Sequence, residues 1–397
     1  MGKRKRDLLI GLMFVALIAA LGLGQSVVDQ TAVAQAQGGV EAPMFVVDPL
    51  WPKPLPNHWV MGMTIGVAVD ARDHVFIIHR PGSVSAGEAP AARGNARECC
   101  EPAPPVLEFD PAGNLVGSWG GPGQGYEWPE SNHGLAFDQH SNIWIGGNGE
   151  NDAHILQFTR DGRFLKQVGR SGANAGSNDN NNFGRVAKVF VDPLENEVYV
   201  SDGYLNKRVV VIDADSGEFK RFWGAYGNEP DDADLGRYDP NAPPAQQFRN
   251  PVHCAELSVD RLVYVCDRVN NRIQVFQADG TFVKEQFIEK ETLGAGSAWD
   301  LAFSRDQWQT YLYLADGVNE RIHILNRDTL EVLTSFGDGG RQPGQFYGAH
   351  SIATDSRGNI FTTETFEGRR VQKFHYKGIG SVTRGSYQGV VWPSKSK

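Results

Sequence analysis

A pattern of about 40 residues recurs along most of this chain, and it constrains the fold more than any other feature of the sequence. Residues 248–287, FRNPVHCAELSVDRLVYVCDRVNNRIQVFQADGTFVKEQF, contain four short runs that are rich in apolar and β-branched residues. Asp, Asn and Gly stand between the runs, as they do at turns between β-strands. The unit therefore predicts a sheet of four short strands.

Six related units follow one another along the sequence. Their first strands include GVAVD, HGLAFD, KVFVD, HCAELS, WDLAFS and HSIATD, and units three to six continue with the basic segments NKRVVVI, NNRIQVF, NERIHIL and GRRVQKF. Four strands in each unit make one blade of a β-propeller. The pattern resembles NHL repeats, and it predicts an all-β, six-bladed β-propeller that forms a single domain over residues 61–380.

The segments around the repeats have simpler interpretations. Residues 37–60 read as extended chain, and the apolar stretch Phe45–Val47 predicts a strand that completes the last blade and closes the ring, which would remove an open sheet edge. Residues 381–397 read as a tail. Three inserts rich in Gly, Asn, Pro or Asp predict surface loops at the mouths of the ring: Pro81–Pro105, Gly169–Asn182 and Asn228–Gln247.

The amino terminus has the composition of an export signal. Residues 3–6 are KRKR, an apolar run covers Leu8–Leu23, and small residues follow around Ala34 and Ala36. This order predicts a signal peptide within residues 1–36, cleaved near Ala34 or Ala36, and a periplasmic or secreted protein. The alternative is a retained membrane anchor, which is the only membrane contact that we expect.

Net charge indicates which ligands to exclude, and the cysteines indicate which disulfides to expect. The formal net charge of −9 argues against nucleic acid as a ligand, and we expect the chain to act as a monomer. After export, the four cysteines meet an oxidising compartment. Cys254 and Cys266 lie almost opposite one another in a predicted hairpin and could form a bridge. Cys99 and Cys100 could bridge each other or pair elsewhere, and free thiols remain the alternative for both pairs.

Histidine recurs at one position of the repeat. Five residues before the Asp or Ser that closes each first strand lie, in order, Ile65, His133, Ala187, His253, Trp299 and His350. Every second blade therefore places an imidazole at the same level of the central channel, and the three should converge on the axis. A lone histidine on a strand is more often a packing residue, but three related by the symmetry of the ring predict a metal site with one open position. Zinc fits such a site best, and copper, nickel or iron are alternatives.

Cationic and phenolic side chains are predicted at the same mouth of the ring. Arg80 and Arg268 each lie ten residues after the Asp or Ser that closes a first strand, at the turn that follows the second strand, in blades that face one another. Tyr204 lies at the same turn in blade three. Two arginines beside a metal indicate a small anionic substrate, most simply a carboxylate. The alternatives are that the arginines pair with neighbours such as Asp267 or Glu108, and that the tyrosine is a packing residue.

Together these segments resemble the lyase domain of peptidylglycine α-amidating enzymes over most of residues 60–380. The matching segments are VAVDARDHVFIIHR, HGLAFDQHSNIW, SDGYLNKR, VHCAELS, CDRVNNRIQVF and AHSIATD. The resemblance implies zinc ligands at His133, His253 and His350, a catalytic tyrosine at Tyr204, and active-site arginines at Arg80 and Arg268. It also implies cleavage of an N-acyl-α-hydroxyglycine, a small peptide-derived carboxylate, into an amide and glyoxylate.

Two residues depart from the pattern of that family. Ser351 stands where the family has an aspartate ligand to a structural calcium ion, which argues against calcium here. Gly348 replaces a methionine that lines the family's pocket, which suggests a more open pocket and a different substrate. The alternatives are therefore a metal-dependent lyase or hydrolase for another small carboxylated compound, and a non-catalytic NHL-repeat binding scaffold.

Overall fold

The computed structural model describes residues 39–383. The predicted signal peptide lies outside the described residues, as does the predicted tail apart from residues 381–383. Among the described residues no helix is both long enough and apolar enough to cross a membrane.

The described chain forms six antiparallel sheets of four strands each, which confirms the predicted six-bladed propeller. Blades one and two consist of Met63–Val69, Val75–Arg80, Val106–Phe109, Leu115–Trp119 and of Asn132–Phe137, Ile143–Gly147, His154–Phe158, Phe164–Gly169. Blades three and four consist of Lys188–Asp192, Glu197–Asp202, Arg208–Asp213, Phe219–Trp223 and of Val252–Leu257, Leu262–Asp267, Arg272–Gln277, Phe282–Phe287. Blades five and six consist of Asp300–Phe303, Tyr311–Asp316, Arg321–Asn326, Val332–Phe336 and of Ala349–Thr354, Ile360–Glu364, Val371–Thr383, Gly39–Asp48.

Blade six is built from both ends of the described chain. The strand Gly39–Asp48, which includes the predicted Phe45–Val47 segment, pairs antiparallel with Val371–Thr383 and supplies the outermost strand of that blade. The last blade therefore has the same four strands as the others, and the ring closes without an incomplete sheet.

The residue that closes each first strand has a structural reason to recur. The carboxylate of Asp138 accepts hydrogen bonds from the backbone N–H groups of His140 and Asn142 at 2.9 and 2.8 Å, and Asp355 makes the same contacts in blade six. In blade four the hydroxyl of Ser258 accepts from the N–H of Leu262 at 3.1 Å. These short polar side chains satisfy the donors of the turn between the first two strands.

The basic residue of the third strand also has a local partner. In blade three the guanidinium of Arg208 donates to Asp202 at 2.8 Å, and in blade four Arg272 donates to Asp267 at 2.7 Å; all four side chains are fully buried. Each pair joins the end of the second strand to the start of the third. The pairing fixes the turns that face the predicted active-site mouth.

Apolar side chains of adjacent blades form the core. Between blades four and five, for example, Ile273 and Val275 pack with Leu301 and Leu312. Burial of one such side chain contributes about 1.5–3 kcal/mol. The same cluster contains Cys254 and Cys266, which are register partners with Cα atoms 4.9 Å apart and form a disulfide across the hairpin.

Short elements outside the six blades make up the remaining regular structure of residues 39–383. Short 3-10 helices cover Pro81–Ser83, Ala91–Arg93 and Ala225–Gly227, and Trp59–Val60 pairs in parallel with Glu101–Pro102. Cys99 and Cys100, which are disulfide-bonded to each other, lie directly before that pairing in the first insert.

Candidate metal centre

Three imidazoles from alternate blades meet on the axis of the ring. Each of His133, His253 and His350 offers one ring nitrogen, and these nitrogens all lie within 4.8 Å of one another. The ring centroids are 4.8–5.3 Å apart, and each side chain is no more than 2% exposed. The structure therefore brings the three predicted ligands together, with a spacing that a single metal ion could bridge.

A local irregularity places each histidine at this level. In blades four and six the pairing of the first and second strands shifts register across His253 and His350 themselves, and in blade two the shift falls one residue later, between His133 and Leu135. Such bulges bend a strand and re-aim a side chain, and they are common beside active sites. The neighbouring residue in blade four, Cys254, instead points into the core between blades.

Backbone carbonyls of the next blade orient two of the imidazoles. Nδ1 of His133 lies 2.5 Å from the carbonyl oxygen of Ala187, and Nδ1 of His253 lies 2.5 Å from that of Trp299. Because a carbonyl oxygen only accepts, Nδ1 must carry the proton in both rings. Nε2 of each ring is therefore left with a free lone pair.

A serine hydroxyl completes the same pattern at the third histidine. Nδ1 of His350 lies 3.2 Å from Oγ of Ser351, and this hydroxyl donates to the carbonyl oxygen of Ile65 at 3.1 Å. Ser351 thus links His350 to the next blade and takes the place of a direct carbonyl contact. The three accepting carbonyls belong to residues 65, 187 and 299, which are the odd-blade members of the repeat position that carries the histidines.

Electrostatics keep the three imidazoles neutral. Burial lowers the pKa of His133, His253 and His350 well below the usual value. The nearby guanidinium group of Arg268 lowers all three pKa values further, and that of Arg80 lowers the pKa values of His133 and His350. Neutral imidazole is the form that binds metal. Three neutral nitrogen donors with fixed tautomers and no carboxylate fit a divalent transition metal such as zinc, with one position left for substrate.

The phenol of Tyr204 lies directly at this cluster. Its oxygen is 3.1 Å from Nε2 of His133 and 3.1 Å from Nε2 of His253. The turn that carries Tyr204 is fixed from behind, because the buried Asp202 accepts hydrogen bonds from Asn206 and Arg208 at 2.8 Å. The predicted catalytic tyrosine therefore faces the imidazole nitrogens and is not a packing residue of the core.

Arg268 lies between two aromatic rings beside Tyr204. Its guanidinium carbon is 4.5 Å from the ring centroid of Trp299 and 5.5 Å from that of Tyr204. One of its terminal nitrogens donates to the Tyr204 oxygen at 3.2 Å, whereas its buried Nε has no partner within residues 39–383. A buried donor without an acceptor is costly, so this Nε is available to donate to a ligand that enters the mouth.

Arg80 approaches the cluster from the opposite side. It donates to the backbone oxygen of Asn132 at 3.2 Å and to the side-chain oxygen of Asn148 at 2.7 Å, and burial lowers its pKa. Among the described residues, neither Arg80 nor Arg268 forms an ion pair with a carboxylate. The carboxylates that could have neutralised them are engaged elsewhere, since Arg272 pairs with Asp267 and Arg160 pairs with Glu108.

An aromatic side chain fills the space beside Gly348. A Cβ atom at position 348 would lie 3.0 Å from the ring of Phe366 and 3.2 Å from a methyl group of Thr365. The Phe366 ring lies 6.3 Å from that of Trp299 and is 45% exposed. Glycine at 348 therefore makes room for Phe366, and the mouth has an apolar wall here that the sequence pattern alone did not reveal.

Sequence comparisons agree with the predicted resemblance. The chain is 29% identical over 233 residues to peptidyl-glycine alpha-amidating monooxygenase from Mus musculus, an alignment that covers 56% of this chain and 22% of that relative. It is 26% identical over 319 residues to NHL repeat-containing protein 3 from Mus musculus, covering 78% of this chain and 75% of that relative. The resemblance to amidating enzymes and to NHL-repeat proteins is confirmed, and the alignment spans about a fifth of the length of the amidating relatives.

Two further comparisons add no argument. No protein-family model matches the chain. A solved structure of a catalytically inactive virginiamycin B lyase from Staphylococcus aureus with quinupristin aligns with 14% identity and a TM-score of 0.48, covering 88% of this chain and 94% of that one. Similarity at this level carries no argument about substrate or reaction.

Proposed function

We propose that the protein is an exported, zinc-dependent carbon–nitrogen lyase that cleaves an N-acyl-α-hydroxyglycine into an amide and glyoxylate. The observation that carries the proposal is the contact between Tyr204 and the cluster, because its hydroxyl lies 3.1 Å from the free nitrogens of His133 and His253 and 3.2 Å from Arg268. A proton-transfer group, three metal-binding nitrogens and an anion-binding guanidinium thus share one space. The sequence similarity to amidating enzymes supports the same reaction class.

The histidines fit a metal ion of defined chemistry. Nε2 of His133, His253 and His350 would hold it, while Nδ1 of each ring stays engaged with its own partner. When bound, zinc supplies Lewis acidity that favours ionisation of a substrate hydroxyl.

The two arginines suit the recognition of the substrate carboxylate. Arg268 has a buried Nε without a partner, and its Cζ lies 4.5 Å from the Trp299 ring, which limits its movement. Arg80 is fixed by Asn132 and Asn148 on the other side of the cluster. A carboxylate that accepts from these guanidinium groups would place the adjoining α-carbon, with its hydroxyl and amide nitrogen, beside Tyr204.

Tyr204 is the residue positioned to move the proton. In the proposed reaction its phenolate form accepts the proton of the substrate hydroxyl, and the electron pair of that O–H bond forms the carbonyl of glyoxylate. The carbon–nitrogen bond breaks with its electron pair on nitrogen, which takes one proton from the Tyr204 side chain and leaves as the amide. Arg268, at 3.2 Å, stabilises negative charge on the phenolic oxygen during the transfer.

Export of the protein is part of the proposal and is supported by the basic and apolar order of residues 1–36. Mass spectrometry of protein recovered from the periplasm or medium tests it, since cleavage near Ala34 or Ala36 would give a new amino terminus. Recovery in the cell interior with residue 1 intact would contradict export.

The reaction is tested by measuring glyoxylate release from a panel of N-acyl-α-hydroxyglycines with small, aliphatic and aromatic acyl groups. Matched compounds that lack the α-hydroxyl, or that carry a carboxamide in place of the carboxylate, serve as controls. We expect release only when hydroxyl and carboxylate are both present. Zinc-loaded protein that releases glyoxylate from no member of the panel would overturn this reaction and leave the second candidate, cleavage of another small carboxylated compound, which the Phe366 wall favours.

A further inference from the structure

A buried ammonium group joins three consecutive blades inside the ring. Nζ of Lys188, in blade three, lies 2.6 Å from a carboxylate oxygen of Glu256 in blade four and 2.6 Å from one of Asp300 in blade five. The three side chains are at most 15% exposed. Lys188 is the central member of this cross-blade cluster, because removal of its ammonium alone would leave two buried carboxylates without a compensating charge.

Two members of the cluster directly follow, in sequence, the residues whose carbonyls orient the imidazoles. Lys188 directly follows Ala187, whose carbonyl accepts from Nδ1 of His133, and Asp300 directly follows Trp299, whose carbonyl accepts from Nδ1 of His253. The direct Lys188–Asp300 contact therefore fixes the relative positions of the two accepting carbonyls.

The same cluster reaches the third histidine strand. The second carboxylate oxygen of Asp300 accepts the backbone N–H of Ile352 at 3.1 Å, two residues after His350. Glu256 lies three residues after His253 on the same strand. All three histidine positions are thus connected to one group of charged side chains that does not contact the open face of the imidazoles.

We propose that Lys188, Glu256 and Asp300 are positioning residues that hold the three imidazoles in their metal-binding arrangement. They act through the carbonyls of residues 187 and 299 and the N–H of residue 352, and they touch neither metal nor substrate. The inference rests on the proposed metal centre, and it identifies a second set of residues on which that centre depends. Mutation of the groups that hydrogen-bond to metal ligands typically lowers metal affinity by roughly 10- to 100-fold.

The test uses two variants of the full chain, neither of which leaves the buried ammonium without a carboxylate partner. Asp300→Asn keeps the Lys188–Glu256 pair, and the triple variant Lys188→Met/Glu256→Gln/Asp300→Asn removes all three charges together. The matched control is Asp192→Asn/Arg261→Met, because that pair also joins blades three and four at 2.6 Å but lies at the far end of the blade-three strand.

Zinc affinity is measured by competition with a chelator, and the visible absorption of the cobalt-substituted protein reports the arrangement of the ligands. We expect zinc affinity to fall roughly 10- to 100-fold in both variants, with a changed cobalt spectrum, while the control stays within about twofold of the wild type. Either variant that unfolds cooperatively yet binds zinc as the wild type does would overturn the proposal.

A second measurement distinguishes failure of the positioning role from failure of metal binding. In metal-free, ¹⁵N-histidine-labelled protein, we expect His133 and His253 to carry the proton on Nδ1 alone in the wild type and to show mixed tautomers in the triple variant. Wild-type protein that binds no divalent metal would reject the proposed function. Unchanged tautomers in the triple variant would reject the positioning role, whether or not metal binds.

Discussion

The hydroxyl oxygen of Tyr204 lies 3.2 Å from a guanidinium nitrogen of Arg268, although the two residues belong to different blades. The contact joins the group that we expect to move a proton with the group that we expect to bind the substrate carboxylate. The phenol also lies 3.1 Å from two imidazole nitrogens. Substitution of Tyr204, of Arg268 or of a histidine should therefore affect proton transfer, carboxylate binding or metal binding, respectively.

Loss of one histidine should abolish metal binding. His253→Ala removes one of the three nitrogen donors, so we expect the metal content of purified protein, measured by elemental analysis, to fall from about one ion per chain to near zero. His154→Ala is the matched control, because His154 is equally buried but hydrogen-bonds to the carbonyl oxygen of Glu127, away from the cluster. Equal metal content in the two variants would contradict the assignment.

Removal of the Tyr204 hydroxyl should reduce the chemical step selectively. Tyr204→Phe keeps the aromatic ring, so we expect normal zinc content and a loss of roughly 10²- to 10⁴-fold in kcat for glyoxylate release. Tyr264→Phe provides a comparison, since that hydroxyl contacts Arg327 instead of the cluster. Activity within a factor of about three of the wild type would remove Tyr204 from the mechanism.

Replacement of Arg268 should weaken carboxylate recognition. Arg268→Lys keeps a positive charge but loses the planar fork and the unpartnered Nε, so we expect kcat/KM to fall by roughly 10- to 100-fold, mainly through KM. The measurement compares the substrate carboxylate with its carboxamide analogue as an inhibitor. The variant should lose affinity for the carboxylate but not for the carboxamide, and an equal loss for both would argue against a direct contact.

The stability of the ring near His350 should depend on pH through Glu320. Burial raises the pKa of Glu320 to about 7, although its carboxylate accepts the N–H of Gly348. The folded protein therefore holds this proton more tightly than the unfolded chain does. The resulting stabilisation is complete below the unfolded pKa of about 4.5 and is lost as the pH rises to about 7.

Glu320→Gln should remove this pH dependence. We expect the variant to gain roughly 1 kcal/mol over the wild type at pH 8, where the buried carboxylate is ionised, and little or nothing at pH 5. Denaturant titrations of both proteins at the two pH values measure the difference. A gain that is larger at pH 5 than at pH 8 would have the wrong sign for this explanation.

The two disulfides should contribute very differently to stability. Cys254 and Cys266 are 12 residues apart in sequence, so Cys254→Ala/Cys266→Ala should lower the free energy of unfolding by about 2–4 kcal/mol. Cys99 and Cys100 are adjacent and enclose no loop, so Cys99→Ala/Cys100→Ala should change it by less than about 0.5 kcal/mol. Equal effects in a calorimetric comparison would contradict a role for loop closure.

Side chains that repeat with the blades were predictable from the sequence. The turn residues Asp138 and Asp355 fixed the register of the repeat, and that register alone indicated that His133, His253 and His350 would converge. Propeller symmetry converts equal positions in a repeat into equal distances from the axis, which is why spacing was sufficient here.

The groups that orient these histidines could not be predicted in the same way. The carbonyls of Ala187 and Trp299 are backbone atoms, so no residue type marks their role. The Lys188 contacts depend on side-chain conformations across three blades, and Phe366 fills the space beside Gly348 from a distant turn. Such contacts arise only once the blades are packed together.

The strand Gly39–Asp48, which precedes every blade in sequence and is the outermost strand of the last one, imposes an order on biogenesis. When the ribosome has synthesised five blades, Gly39–Asp48 is already complete, but its pairing partner Val371–Thr383 has not yet been synthesised. The ring can therefore be sealed only after synthesis of its final blade, so a truncated product would expose the edge of this early strand to other chains and to quality-control proteases.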